Sequence, residues 1–78
     1  MMPARRRTYE EGAHRRSFGE RVRRLRLERG WTQEQMAERA DLHRSYLAAI
    51  EVGGRNPTLD VIVKIANALH VPVADLFA

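Results

Sequence analysis

A short stretch in the middle of the chain carries small and polar side chains at helical spacing. Arg44, Ser45, Ala48 and Ala49 share one side of a helix, and the aliphatic residues between them face the other way. An arginine can bond two acceptors of a guanine, a serine suits either base, and an alanine can touch a thymine methyl group. These residue types predict recognition of base edges, with double-stranded DNA as the partner.

Two short helices must position this face. Thr32 followed by Gln35 has the form of a capping box and predicts the start of a helix that continues to Ala40. Residues 41–43 interrupt the apolar pattern, and a helical period resumes over residues 44–52. Two short helices joined by about three residues describe a helix-turn-helix, whose second helix lies in the major groove.

The flanking sequence predicts further helices and no strand. Ser17 followed by Glu20 also resembles a capping box, so we expect the first helix to begin at Ser17 and to end at Gly30. Thr58 suits the N-cap of a strongly periodic fourth helix, and Pro72 suits the first position of a last short turn. The expected fold is all-α, with four or five helices.

The first sixteen residues differ from the rest. Residues 1–16 contain five arginines and two glutamates, a net charge of +3, and only one aromatic residue, Tyr9. Such a segment is expected to be a disordered arm, followed by a DNA-binding domain over residues 17–78. Two interpretations of the arm stay open, a solvated tail and an arm that touches DNA.

Composition limits the function classes. A net charge of +4 and a pI near 10.6 favour a polyanionic partner. The chain has no cysteine and no histidine pair at metal-binding spacing, so we expect no metal, no cofactor and no catalytic site. No apolar run would span a bilayer or form a signal peptide, which predicts a cytoplasmic protein without membrane partners. The sequence also suggests no small-molecule ligand domain.

The motifs together carry a resemblance. They are R-x-L-R-x-x-x-G-x-T-Q, then A-x-x-A-x-L, I-E-x-G and N-P-T-L, within residues 17–77. This region resembles the Cro and phage-repressor-like (XRE-type) helix-turn-helix family, and its LHRSYLAAIE and RNPTL segments are most similar to restriction-modification controller proteins. The resemblance implies a compact four- to five-helix bundle of the lambda-repressor-like DNA-binding type, with the helix-turn-helix formed by helices 2 and 3.

The resemblance also assigns roles to individual residues. Two residues, Arg26 and Glu51, match a buried salt bridge between the first helix and the end of the recognition helix. The base contacts implied are those of Arg44, Ser45, Ala48, Ala49 and Arg55. The DNA-backbone contacts implied are those of Thr32, Gln33, Tyr46 and Asn56.

One of these residues, Tyr46, has a second interpretation as a core aromatic. The chain also departs from a good helix start at His43, which caps the third helix less well than Ser, Thr, Asp or Asn.

Apolar residues near the C-terminus suggest a second copy of the chain as a partner. Proteins with this motif commonly bind as two-fold dimers, with half-sites ~34–36 Å apart. We therefore expect a homodimer, although the same residues could simply close the core. The predicted interface comprises Leu69, Val71, Val73, Leu76 and Phe77.

The expected function is a transcriptional regulator that binds a pseudo-palindromic operator, with the controller of a restriction-modification system as the leading role. RNA polymerase is a further expected partner. The alternatives are a phage-type repressor, the antitoxin of a toxin-antitoxin pair, and a protein-interaction module that has lost DNA binding. Such a module would carry acidic or bulky apolar residues at Arg44, Ser45 and Arg55, and this sequence carries the opposite.

Overall fold

The computed structural model describes residues 12–78, and this part of the chain contains helices and no strand. The all-α prediction is therefore confirmed. Residues 1–11, most of the predicted arm, lie outside the described residues. The helices are α1 (Ala13–Glu28), α2 (Gln33–Ala40), α3 (Arg44–Glu51), α4 (Leu59–Leu69) and a C-terminal 3₁₀ helix (Val73–Phe77).

The first helix begins one turn earlier than the sequence predicted. Ser17 lies exposed inside α1, and the N-cap is Gly12, at φ 81°, without a side-chain capping bond. The expectation of a start at Ser17, and of disorder over residues 13–16, is wrong. The segment Ala-His-Arg-Arg has no helix breaker, and alanine and arginine are strong helix formers, so the helix continues upstream of Ser17.

The other helix starts agree with the sequence. Thr32 and Gln35 form a complete capping box, with the Gln35 amide 3.0 Å from Thr32 Oγ1 and the Thr32 amide 2.9 Å from Gln35 Oε1. Thr58 accepts a bond from the Val61 amide at 3.2 Å. His43 precedes α3 and makes no side-chain capping bond, as the sequence suggested. His43 contributes to the start of α3 through its backbone, because its carbonyl oxygen accepts the amides of Tyr46 and Leu47 at 3.1 Å.

The core forms where α1 crosses α3. Gly19 of α1 lies directly on the C-terminal turn of α3: a methyl group there would overlap the Ile50 carbonyl oxygen and lie 2.7 Å from that of Glu51. The lack of a side chain thus lets the two backbones touch and fixes α3 against the body. The core residues are Phe18, Val22, Leu25, Met36, Ala37, Leu47, Ile50, Ile65, Ala66, Leu69 and Leu76.

The C-terminal turn closes this core, which corrects part of the predicted dimer interface. Leu69 and Leu76 have no exposed surface, so the prediction that they contact a second copy is wrong. Val71 and Val73 pack half-buried against the core, whereas Phe77 is 62% exposed. Apolar periodicity marks all five residues alike, and it does not say which of them face their own chain.

Two long arginines fasten the C-terminal region to α1. Arg29 donates to the Leu69 carbonyl oxygen at 2.7 Å, and Arg21 donates to the Asp75 carbonyl oxygen at 2.8 Å.

Among residues 12–78, no helix combines the length and the hydrophobicity needed to cross a bilayer.

Candidate nucleic-acid interface

The turn between α2 and α3 sets the direction of the second helix. Asp41 takes a left-handed conformation, with φ 56° and ψ 51°, which aspartate adopts more readily than most residues. The Leu42 amide then donates to the Ala37 carbonyl oxygen at 2.8 Å, and the Leu42 side chain packs half-buried against the core. Ala37 is 3% exposed, so a larger side chain there would push the helices apart.

This turn presents one face of α3 to solvent. Leu47 and Ile50 point into the core and are 0% and 1% exposed. The opposite face starts with two exposed polar residues, Arg44 and Ser45, and continues with two half-buried alanines, Ala48 and Ala49. A face that is polar at its start and small beyond it fits the width of a major groove.

The residues after α3 extend this face. The guanidinium of Arg55 lies 5.5 Å from the ring centroid of Tyr46, within the range of a cation–π contact. Tyr46 itself is half-buried and packs against the core, so the ring that contacts Arg55 is held in place by the core. Asn56 is exposed beside Arg55. Tyr46 thus contacts the core, as a core aromatic would, and also contacts the guanidinium of Arg55.

A buried ion pair joins α1 to the end of α3. Arg26 Nε lies 2.7 Å from Glu51 Oε2 and Arg26 Nη2 lies 2.9 Å from Glu51 Oε1, a bidentate geometry. The two residues are 7% and 4% exposed. Arg26 Nη1 also donates to the Trp31 carbonyl oxygen at 2.8 Å. The pair therefore holds α1, the α1–α2 corner and the recognition helix in one arrangement.

Gln33 adds a link that sequence reasoning missed. Its Nε2 donates to Glu51 Oε1 at 3.0 Å, across eighteen positions of sequence. An amide nitrogen carries two hydrogens, so this bond leaves one N–H of Gln33 unused. The hydroxyl oxygen of Thr32 accepts the Gln35 amide, a bond that does not use its O–H. No local pattern signals the Gln33 contact, because it exists only once α2 and α3 have packed.

The exposed arginines of this surface are not paired with carboxylates among residues 12–78. In the same part of the chain, no three His, Asp or Glu side chains gather where they could hold a metal ion. Within the same range, the only ion pairs are Arg26 with Glu51 and Lys64 with Asp41. Arg44 and Arg55 therefore have no acidic partner among the described residues and are available to phosphates or base edges.

Comparison with known proteins identifies the family. Residues 22–76 match the helix-turn-helix family, and this range includes the whole of α2, α3 and α4. The chain belongs to the helix-turn-helix family. Control protein C.BamHI of Bacillus amyloliquefaciens is 48% identical over 60 residues, 76% of this chain and 74% of that protein. The immunity repressor protein of Bacillus phage phi105 is 46% identical over 58 residues, 74% of this chain and 40% of that protein.

Solved structures agree with the sequence relatives. The restriction-modification controller protein C.AhdI from Aeromonas hydrophila is 42% identical, with a TM-score of 0.78, over 80% of this chain and 94% of that one. The controller protein C.Esp1396I has the same TM-score of 0.78 at 31% identity, over 86% of this chain and 87% of that one. This helix-turn-helix protein is thus a transcriptional regulator similar to restriction-modification controllers and phage repressors, as the sequence predicted.

Proposed function

We propose that this regulator binds a pseudo-palindromic DNA operator as a homodimer and controls a restriction-modification system. The observation that carries the proposal is the face of α3, where Arg44 and Ser45 are exposed and Arg55 stacks on Tyr46 beside them. Controller proteins recur among both the sequence relatives and the solved structures, which favours that role over a phage repressor or an antitoxin. The regulator would act in the cytoplasm, where the operator's position decides whether RNA polymerase is blocked or recruited.

The proposed contacts divide into two groups, because phosphate contacts set the register while base contacts carry the sequence. The backbone group lies at the start of α2 and beside α3, and it comprises Thr32, Gln33, Tyr46 and Asn56. The base group lies on the outer face of α3 and just after it, and it comprises Arg44, Ser45, Ala48, Ala49 and Arg55.

The dimer surface that we propose is the exposed apolar part of α4 and the C-terminal turn. Leu59 is 70% exposed and Val63, one turn later on α4, is 38% exposed. Ile62 lies between them and borders a cavity of about 110 Å³ shared with Phe18 and Phe77. The ring of Phe77 lies tilted against that of Phe18, with the centroids 5.2 Å apart, and Phe77 remains 62% exposed. These side chains form an exposed apolar surface that would be covered by a second copy.

The double substitution Leu59→Ser and Val63→Ser is expected to convert a dimer into a monomer without unfolding the chain, because neither side chain belongs to the buried core. Sedimentation at tens of micromolar should give the parent protein twice its 9.0 kDa mass and the variant a single mass. Leu27→Ser, at a residue 49% exposed on α1, is the matched control and should remain dimeric. A parent protein that sediments as a monomer, with and without operator, contradicts the dimer.

Selection of bound duplexes from a random DNA pool tests the function directly. We expect a two-fold symmetric winner that binds at least about 10³-fold more tightly than scrambled DNA at ~150 mM salt. That site would then be sought upstream of restriction, phage or toxin genes, which separates the three regulatory roles. Equal affinity for scrambled DNA would instead support an interaction module that kept the fold and lost sequence recognition.

A further inference from the structure

The first turn of α1 lies outside the part of the chain that matches the helix-turn-helix family. The match begins at residue 22, whereas α1 begins at Ala13. This first turn carries His14, Arg15 and Arg16.

The first turn of α1 packs against the loop that follows the recognition helix. A methyl group at Gly53 would lie 3.0 Å from Cα and 2.6 Å from Cγ of Arg16, so the two backbones are in close contact. Gly53 has φ 81°, a left-handed conformation that suits glycine and brings the loop against α1. Arg15 borders a cavity together with Asn56 and Pro57, which follow Gly53 in the same loop.

The charge beside this contact is mostly positive. Residues 12–19, 43–50 and 52–59 contain four arginines, Arg15, Arg16, Arg44 and Arg55, and no aspartate or glutamate, although the exposed acids Glu20 and Asp60 directly follow the first and last of these segments. The nearest acid between these segments, Glu51, is buried against Arg26 and does not face solvent. Arg16 is exposed, and neither Arg15 nor Arg16 forms an ion pair with an acid among residues 12–78. The basic surface of α3 and its following loop therefore continues onto α1.

We propose that Arg15 and Arg16 bind phosphates of the DNA backbone beside the half-site that α3 reads. The inference rests on the proposed DNA binding and deepens it, because it adds a part of the chain that precedes the family match. The contact is made by side-chain charge, and its place is fixed by the close packing of Arg16 on Gly53. Contacts of this kind raise the affinity for every duplex alike, since phosphates carry no base identity.

The double variant Arg15→Gln and Arg16→Gln tests the proposal through the salt dependence of binding. Each phosphate contact contributes about 0.9 to the slope of log Kobs against log[salt]. Two lost contacts in each half of a dimer, four in all, should therefore make the slope shallower by about 3.6. Affinity should fall equally for the selected operator and for scrambled DNA, so the ratio between them stays constant.

Two further variants serve as controls for the removed charge and for the fold. Arg23→Gln with Arg24→Gln removes the same charge from exposed residues elsewhere on α1, and it should leave the slope close to that of the parent protein. Arg15→Lys with Arg16→Lys keeps the charge and should restore the slope, which separates a phosphate contact from a loss of fold. Thermal melts of all variants check that α1 still packs.

The proposal is overturned if the Gln pair at 15 and 16 keeps the parent slope, or if the Gln pair at 23 and 24 lowers it as much. A loss confined to the selected operator also contradicts it, since that would indicate base contact. The parent protein's preference for its operator over scrambled DNA is measured in the same titrations. That preference tests the proposed function separately, so a failure of one idea can be told from a failure of the other.

Discussion

Glu51→Ala should lower the free energy of unfolding by about 3–5 kcal/mol, because it leaves a buried guanidinium without its partner. Arg26 is 7% exposed and would lose both bonds to the carboxylate, and Gln33 would lose its bond to the same group. Single domains are stable by only about 5–15 kcal/mol, and one of this size is expected near the lower end. Much of the variant should therefore be unfolded at moderate temperature, as urea titration followed by circular dichroism would show.

The same experiment needs two controls. Arg26→Met with Glu51→Leu replaces the whole pair by apolar side chains of similar length, so it should cost far less than Glu51→Ala alone. Lys64→Gln removes the exposed pair with Asp41, whose charged atoms are 3.5 Å apart, and should change stability by at most about 1 kcal/mol. If Glu51→Ala matches Lys64→Gln, the ion pair does not hold α3 in place.

Local signals in the sequence predicted the starts of α2 and α4 and misplaced the start of α1. Thr32 with Gln35 gives a true capping box, whereas Ser17 with Glu20 shows the same spacing inside a helix. The two cases differ in the residues before them. Gly30 stops the helix two residues before Thr32, but nothing stops one before Ser17 until Gly12.

The sequence likewise predicted one part of the candidate site and not the other. The exposed face of α3 could be read from periodicity, because Leu47 and Ile50 define the buried side. The bond between Gln33 and Glu51 and the packing of Arg16 on Gly53 could not, because both join residues far apart in sequence. For the same reason periodicity alone assigned the buried Leu69 and Leu76 to a dimer surface.

Arg44→Ala tests whether the face of α3 reads sequence. Arg44 is exposed in the first turn of α3 and has no acidic partner among residues 12–78, so its guanidinium is free to bond the two acceptors of a guanine. A good bidentate contact contributes about 1–3 kcal/mol of discrimination against the wrong base. A symmetric operator meets Arg44 twice, once from each protomer, and sites this far apart add independently. The variant should therefore lose about 2–6 kcal/mol of its preference for the operator.

This loss would be large, since the whole preference of such proteins for a specific site over other DNA is about 4–10 kcal/mol. Titration of the selected operator and of scrambled DNA measures it, because Arg44→Ala should weaken the first far more than the second. A repeated selection should return sites in which one symmetric pair of positions no longer requires guanine. Arg23→Ala, at an exposed arginine on α1, is the control and should leave both the preference and the selected sequence intact. Recovery of the parent's sites by Arg44→Ala would contradict base reading by this residue. Because α3 offers Ser45 and the two alanines beside it, recognition would then have to come from those smaller contacts and from Arg55.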